Sequence, residues 1–309
     1  MTLLAAALLV SSWAVDAQTF PSRPVRILTG PPAPHEAVLR MIQPRLSEYL
    51  GQAIVIENKA GAVANLEAAR AAPDGHTLLL TADVLSVLHH LRRELPYDGY
   101  RAFAPVKMMI SAATVLAVNA AFPAKSLREY VAYAKGNPGK LNQGNAANGS
   151  RGHIAAAVLA SESGLELTHV PFRGSGLGLA LISGDIHAAF LQYGAIADHL
   201  RSGKVRALAV TGKTRLDQLP TVPAVAELVP GFEVIAWFGI FAPARTPNEV
   251  VARLHREFTR ALALPDIREK VAAIGFDIDT RTPEEFAAFI EAESDKFGKV
   301  IRQYNIRAE

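Results

Sequence analysis

Short apolar runs alternate with longer stretches whose apolar positions recur every three or four residues along most of this 309-residue chain. The runs at 25–29, 53–57 and 77–81 have the length and aliphatic content of strands, and Gly, Pro or other small residues follow each of them. Helical spacing then covers 35–50, 61–71 and 84–93, with Pro44 marking a kink or a second start inside the first. Strands alternating with helices in this way predict βαβ units and a parallel sheet.

An irregular link at 96–105 separates a second block, which opens with two short strands, one around Met108 and one at 115–118. A helix at 127–135 stops at Gly136-Asn137-Pro138-Gly139, a sequence no helix continues through. Strands at 141–143, 167–170, 186–190 and 205–210 then alternate with helices at 153–163, 175–182 and 195–201. A proline-rich link at 220–230 precedes a strand at 234–241 that returns to the first block. The tail reads as helices at 247–262, 265–274 and 283–304, with a short strand at 276–278. Pro247, Pro265 and Pro283 sit near their first turns, where proline is tolerated.

Composition narrows the class of protein. Half of the residues are hydrophobic and a fifth are charged, the balance of a folded chain long enough for two cores. Residues 2–15 carry no charge and are mostly apolar, and Val15 and Ala17 place small residues at −3 and −1 of a cleavage after Ala17. That run is short for a membrane span, so residues 1–17 are expected to be a signal peptide, although no Lys or Arg precedes it. The sequence contains no cysteine, which excludes disulfides, thiolate metal sites and Cys catalysis. Its net charge of +3 is scattered and forms no basic stripe, so nucleic acid is not an expected partner.

The candidate chemistry centres on 148–175. Asn148-Gly149-Ser150-Arg151-Gly152-His153 opens an alanine-rich helix, and His169-Val170-Pro171-Phe172 leads into Arg173-Gly174-Ser175-Gly176 and a second helix. The start of a helix has unpaired backbone N–H groups and partial positive charge, so two neighbouring starts make a socket for a carboxylate or phosphate. Gly174-Ser175-Gly176-Leu177-Gly178 invites a dinucleotide reading, but Leu179 stands where the third glycine belongs and no acid holds the ribose near Leu191 and Gln192. Ser150 and His153 lack the G-x-S-x-G elbow of a hydrolase, and Ser150 fits better as a helix cap that also meets a ligand. His89 and His90 are adjacent and diverge on a helix, while His35-Glu36 lacks the second His of a zinc helix. Neither a metal nor a cofactor is expected. Glu36 and Asp83 lie at predicted strand ends, where α/β sheets place ligands, and each also suits the positive end of the following helix.

These residues resemble those of a known family. Phe20-Pro21-Ser22-Arg23-Pro24, Ile56-Glu57-Asn58-Lys59, Pro73-Asp74-Gly75-His76-Thr77, Leu95-Pro96-Tyr97-Asp98 and Phe103-Ala104-Pro105-Val106 match in order. So do Asn137-Pro138-Gly139-Lys140-Leu141, Asn148-Gly149-Ser150 with His153, His169 through Ser175, Ser202 through Thr211, and Ala236 through Pro243. The chain is similar to the periplasmic solute-binding receptors of tripartite tricarboxylate transporters, the Bug proteins. The resemblance implies a two-lobed α/β periplasmic binding protein, a type II-like Venus flytrap with mostly parallel sheets flanked by helices. Lobe 1 would comprise 18–105 and 226–309, and lobe 2 would comprise 106–225. A small carboxylate would be captured between them by hinge motion, without catalysis.

Lobe 1 departs from the family pattern. Paired glycines followed by Thr or Ser and Asp are replaced by Pro32-Ala33 and His35-Glu36, the second turn reads Gly61-Ala62-Val63-Ala64-Asn65, and the third reads Thr81-Ala82-Asp83. In lobe 2, Leu191 stands where an Asp is usual. The ligand-facing residues are therefore expected to be Ala33, His35, Glu36, Ala82 and Asp83 from lobe 1. From lobe 2 they are Asn148, Ser150, His153, Phe172, Gly174, Ser175 and Gln192. The acidic and imidazole groups favour an amino, amide or hydroxyl group beside the ligand's carboxylate. The expected protein is an exported, monomeric periplasmic receptor whose partners are membrane transporter subunits or a sensor kinase. A degenerate receptor acting as a signalling or partner-binding module is the alternative, with a hydrolase or nucleotide-dependent enzyme more distant.

Overall fold

The computed structural model describes residues 20–306 apart from 32–33, 93, 148 and 173–175. Its first half alternates β1 (Val25–Thr29), α1 (Pro34–Leu50), β2 (Ile54–Asn58), α2 (Gly61–Arg70) and β3 (Thr77–Ala82). α1 runs unbroken through Pro44. The helix expected at 84–93 is instead a 3₁₀ turn, Asp83–Ser86, and a four-residue helix α3 (Leu88–Leu91). Ser86 explains the break: its hydroxyl donates to the Asp83 carbonyl at 2.8 Å and competes with the helical ladder.

The two short strands expected after residue 105 are one strand, β4 (Phe103–Asn119). The second block follows as α4 (Leu127–Gly136), β5 (Leu141–Asn145), α5 (Arg151–Ser163), β6 (Leu167–Pro171), α6 (Gly176–Ser183), β7 (Ala188–Gln192), α7 (Tyr193–Arg201) and β8 (Val205–Val210). The chain returns through β9 (Ile235–Pro243) and ends with α8 (Asn248–Leu262), α9 (Pro265–Ala273), β10 (Asp277–Ile278) and α10 (Pro283–Gln303). Caps fix the main helices. Ser126, Ser150 and Thr282 cap α4, α5 and α10 with their hydroxyls, and Gly164 closes α5 in the left-handed region.

The strands are ordered β2-β1-β3-β9-β4-β7-β5-β6, and β8 and β10 also pair with β4. β1 pairs in parallel with β2 and β3, and β5 with β6 and β7. Every antiparallel pairing involves β4 or β9. β4 belongs to both halves: 103–113 pair with β9, whereas 114–119 pair with β7 and β8. Separate apolar cores form on either side. One packs α1 and α8 against β1, β3 and the start of β4, and the other surrounds the alanine-rich α5. α10 spans the two halves, with Phe286 and Ile290 in a third cluster beside Trp237, and Phe297, Val300 and Ile301 buried beside α5.

The chain changes half-sheet at a buried pair of threonines. Thr114 N–H donates to Thr211 Oγ1 at 2.8 Å, Thr211 N–H donates to the Thr114 carbonyl at 2.9 Å, and Val234 N–H donates to the Thr211 carbonyl at 3.0 Å. A Cβ on Gly212 would come within 3.3 Å of Ala113 Cβ, so the crossing strands are close. Thr211→Val removes the acceptor for a buried N–H and should cost about 1–3 kcal/mol in urea unfolding. An unchanged midpoint would show that the crossing does not depend on this hydroxyl.

Candidate functional site

Ligands in open α/β sheets bind beyond the carboxyl ends of the parallel strands. Here those ends are Thr29, Asn58, Ala82, Asn145, Pro171 and Gln192. Thr29 Oγ1, His35 Nδ1, Asn145 Oδ1 and Arg151 Nη2 are buried at or just after these ends without a hydrogen-bond partner among the described residues. Buried polar atoms are nearly always satisfied, so these four make the strand ends the candidate site; His76 Nδ1, His89 Nδ1, Gln143 Nε2 and Arg253 Nε are also without a partner among the described residues.

The second half supplies the start of α5. Ser150 is extended and its Oγ accepts from the His153 N–H at 3.4 Å, as the cap reading expects. Gly152 lets this turn lie against β7, because a Cβ there would stand 2.9 Å from the Phe190 carbonyl oxygen. His153 is buried, and its Nδ1 accepts from the Gly149 N–H at 3.2 Å, which puts the ring proton on Nε2. Its ring centroid lies 4.6 Å from that of His169 on β6. Burial, with His169 adding to it, pushes the His153 pKa down to about 4, so the imidazole is neutral near pH 7. His169 is also lowered by burial, and its Nδ1 meets Asn145 Nδ2 at 3.4 Å. Phe172 is half-buried with its N–H on the Asn145 carbonyl at 2.8 Å, and Gln192 is exposed at the end of β7 opposite Thr114. Asn148, Gly174 and Ser175, like Ala33 in the first half, lie outside the described residues.

In the first half the acids have protein partners. Glu36 is buried, pairs with Arg40 at 2.7 Å and accepts from Asn58, whose amide also reaches the Gly30 carbonyl. It therefore braces the β1 loop against β2. His35 stacks on Phe238 at 4.2 Å and 14°, and burial lowers its pKa. Ala82 pairs with Phe238 at the end of β3. Asp83 accepts from Arg151 Nε at 3.0 Å, a contact that joins the two halves. Arg151 Nη1 also reaches Glu293 on α10 at 3.2 Å. Glu293 in turn accepts from Trp237 Nε1 at 2.8 Å and from Ser86 Oγ at 3.2 Å.

Arg151 and Glu293 were absent from the expected site. Arg151 carried a local signal, since a cation in the first turn of a helix opposes the dipole and needs a compensating acid. Glu293, 142 residues away, carried none. His89 and His90, expected to diverge, instead have ring centroids 3.9 Å apart and share Ser294 on α10.

Residues 38–306 match the model of the tripartite tricarboxylate transporter family receptor, TctC. The chain belongs to this family. It is similar to the protein BugT of Bordetella pertussis, with 31% identity over 298 residues that cover 94% of this chain and 91% of BugT. Its fold is similar to that of R. palustris Rpa4515 with adipate, with 30% identity, a TM-score of 0.73, and coverage of 93% of this chain and 99% of that one. MatC from Rhodopseudomonas palustris with bound malate aligns with a TM-score of 0.70 and 32% identity, over 91% of this chain and 100% of that one. The two-lobed α/β periplasmic binding architecture is thus that of the TctC receptors, which bind solutes and are not enzymes. Among the described residues, no helix is long and apolar enough to cross a membrane.

The buried imidazole of this TctC receptor has a consequence for stability. A histidine with a lowered pKa folds uncharged, so acid favours the unfolded chain, in which it protonates near 6.5. Its contribution is intact above pH 6.5 and lost as pH falls toward about 4, a loss of about 2–3 kcal/mol at most. His153→Asn keeps an acceptor near Gly149 and cannot titrate. Urea unfolding at pH 7 and pH 4.5 should show a smaller acid loss for it than for the parent; equal losses would mean that His153 is not the acid-sensitive group.

Proposed function

We propose that this TctC-family chain is an exported receptor that captures a small carboxylate-bearing solute between its two lobes, for delivery to membrane transporter subunits or a sensor kinase. The observation carrying this reading is the start of α5, where a hydroxyl cap and a helix N-terminus stand beside buried polar atoms at the strand ends. The N-terminal dipole and free N–H groups suit a carboxylate. Rpa4515 with adipate and MatC with bound malate, both related over nearly the whole chain, support the same ligand class. Export rests on the leader at 1–17, and the crossing at Thr114, Thr211 and Val234 suits a hinge between lobes.

The distal part of the solute is narrowed by the first lobe. An amino group would need an acid with free capacity, yet Glu36 is committed to Arg40 and Asn58, and Asp83 to Arg151. His35 Nδ1 remains for a hydroxyl or amide. The second reading, a partner-sensing module without tight solute binding, is favoured by one observation: Asp83 already supplies a carboxylate to Arg151 between the two loops.

A thermal-shift screen of hydroxy acids, dicarboxylates, amino acids and their amides tests these readings. A solute at a hundred times its dissociation constant adds about 2.7 kcal/mol, enough to raise the melting temperature measurably. A dose-dependent rise with one carboxylate class, weakened about fivefold in affinity by Ser150→Ala, is the expected result. A blank across the panel with a cooperatively folded protein would favour the partner-sensing module.

A further inference from the structure

We propose that Arg151 is a positioning residue which holds the two crevice loops at a set separation, and that protonation of Glu293 controls the affinity of the crevice for an anionic solute. The inference rests on the receptor reading above. Its geometric basis is the bridge that Arg151 makes from the start of α5, next to the Ser150 cap. One nitrogen binds Asp83, directly after the end of β3, and another binds Glu293 on α10. The Arg151 and Glu293 side chains are 7% and 5% exposed, so neither solvent nor salt screens the contact appreciably. Loops from both halves therefore meet on a single guanidinium. Its planar fork can serve two carboxylates at once, which a lysine cannot do in the same geometry.

The groups facing Glu293 come from every element around it. Arg151 approaches from α5, Asp83 and the Ser86 hydroxyl from the turn after β3, and the Trp237 indole from β9. Lys296 lies on the same helix, and His89 and His90 of α3 meet the neighbouring Ser294. Burial dominates, and it pushes the Glu293 pKa up to about 7 against the pull of Arg151. Below that pH the trio is a neutral Arg151–Asp83 pair beside a carboxylic acid, and above it the trio carries one net negative charge. With Lys296 the nearby cation, an anionic solute thus meets surroundings one unit more negative in mild base than in mild acid. Affinity should fall about three- to tenfold as pH rises through neutrality. By reciprocity, bound solute raises the proton affinity of Glu293 by the same factor.

Trp237 offers a direct readout, because its indole N–H is bonded to the titrating carboxylate. The sequence has two tryptophans, Trp13 and Trp237, so in a Trp13→Phe background emission reports position 237 alone. Emission should titrate with a midpoint near neutrality and lose that transition in Glu293→Gln, whose amide keeps acceptors for Trp237 and Ser86. Malate and adipate would be titrated calorimetrically between about pH 6.5 and 8.5 into the parent, Glu293→Gln and Arg151→Lys. Support would be a falling affinity in the parent, a flat profile in a cooperatively folded Glu293→Gln, and about tenfold weaker binding in Arg151→Lys at the lower pH. An emission transition that survives in Glu293→Gln, or an equal pH slope in parent and variant, overturns proton control. Equal affinity in Arg151→Lys overturns the positioning role. If emission titrates as expected while neither these two nor any solute of the thermal-shift panel binds at any pH, carboxylate capture itself fails, and proton-linked capture fails with it.

Discussion

A strand that belongs to two sheets must satisfy its backbone while its neighbours change, and this constraint governs the molecule. β4 meets it by pairing with β9 up to Ala113 and with β7 and β8 from Thr114 onward. The returning chain fills the gap with the Thr211 hydroxyl and carbonyl, so the crossing is fully hydrogen-bonded without a regular ladder. Small residues are required there, since two backbones approach within contact of each other's Cβ atoms. The parallel strands β1 and β3 on one side, and β5 and β7 on the other, reach this seam through β9 and β4. The turn after β3 and the start of α5 thereby meet, through Asp83 and Arg151.

That meeting point is electrostatically unusual. Burying Arg151 alone would be prohibitive, and two acids from distant parts of the chain offset the cost. Such a network is weak evidence for stability, because its Coulombic gain is set against the desolvation of three groups. It is more informative about specificity. Asp83 and Glu36, the acids that suggested recognition of an amino group, are both committed within the protein, and His35 Nδ1 has no hydrogen-bond partner among the described residues.

Local pattern and tertiary contact divide the credit unevenly. The alternation of strands and helices, the stop after α4, the Ser150 cap and the proline starts of α9 and α10 were legible because each depends on residues within one turn. β4 was misread as two strands because Ser111-Ala112-Ala113 interrupts its apolar run, where the seam requires small side chains. The helix expected at 84–93 was misread because its apolar spacing is helical, while the Ser86 hydroxyl bonds the Asp83 carbonyl and reaches Glu293 instead.

By itself, the sequence determined the α/β class, the family and the Ser150-capped start of α5, since periodicity, capping and motif order are local or collinear properties. Only the tertiary structure decided what Asp83 binds, why Arg151 is tolerated in a first helical turn, and that α10 packs against both halves. Asp83 and Arg151 lie 68 residues apart, and Arg151 and Glu293 lie 142 apart. No period or spacing encodes a pairing at such distances, because it arises only when folding removes the charges from water and leaves them no other partner.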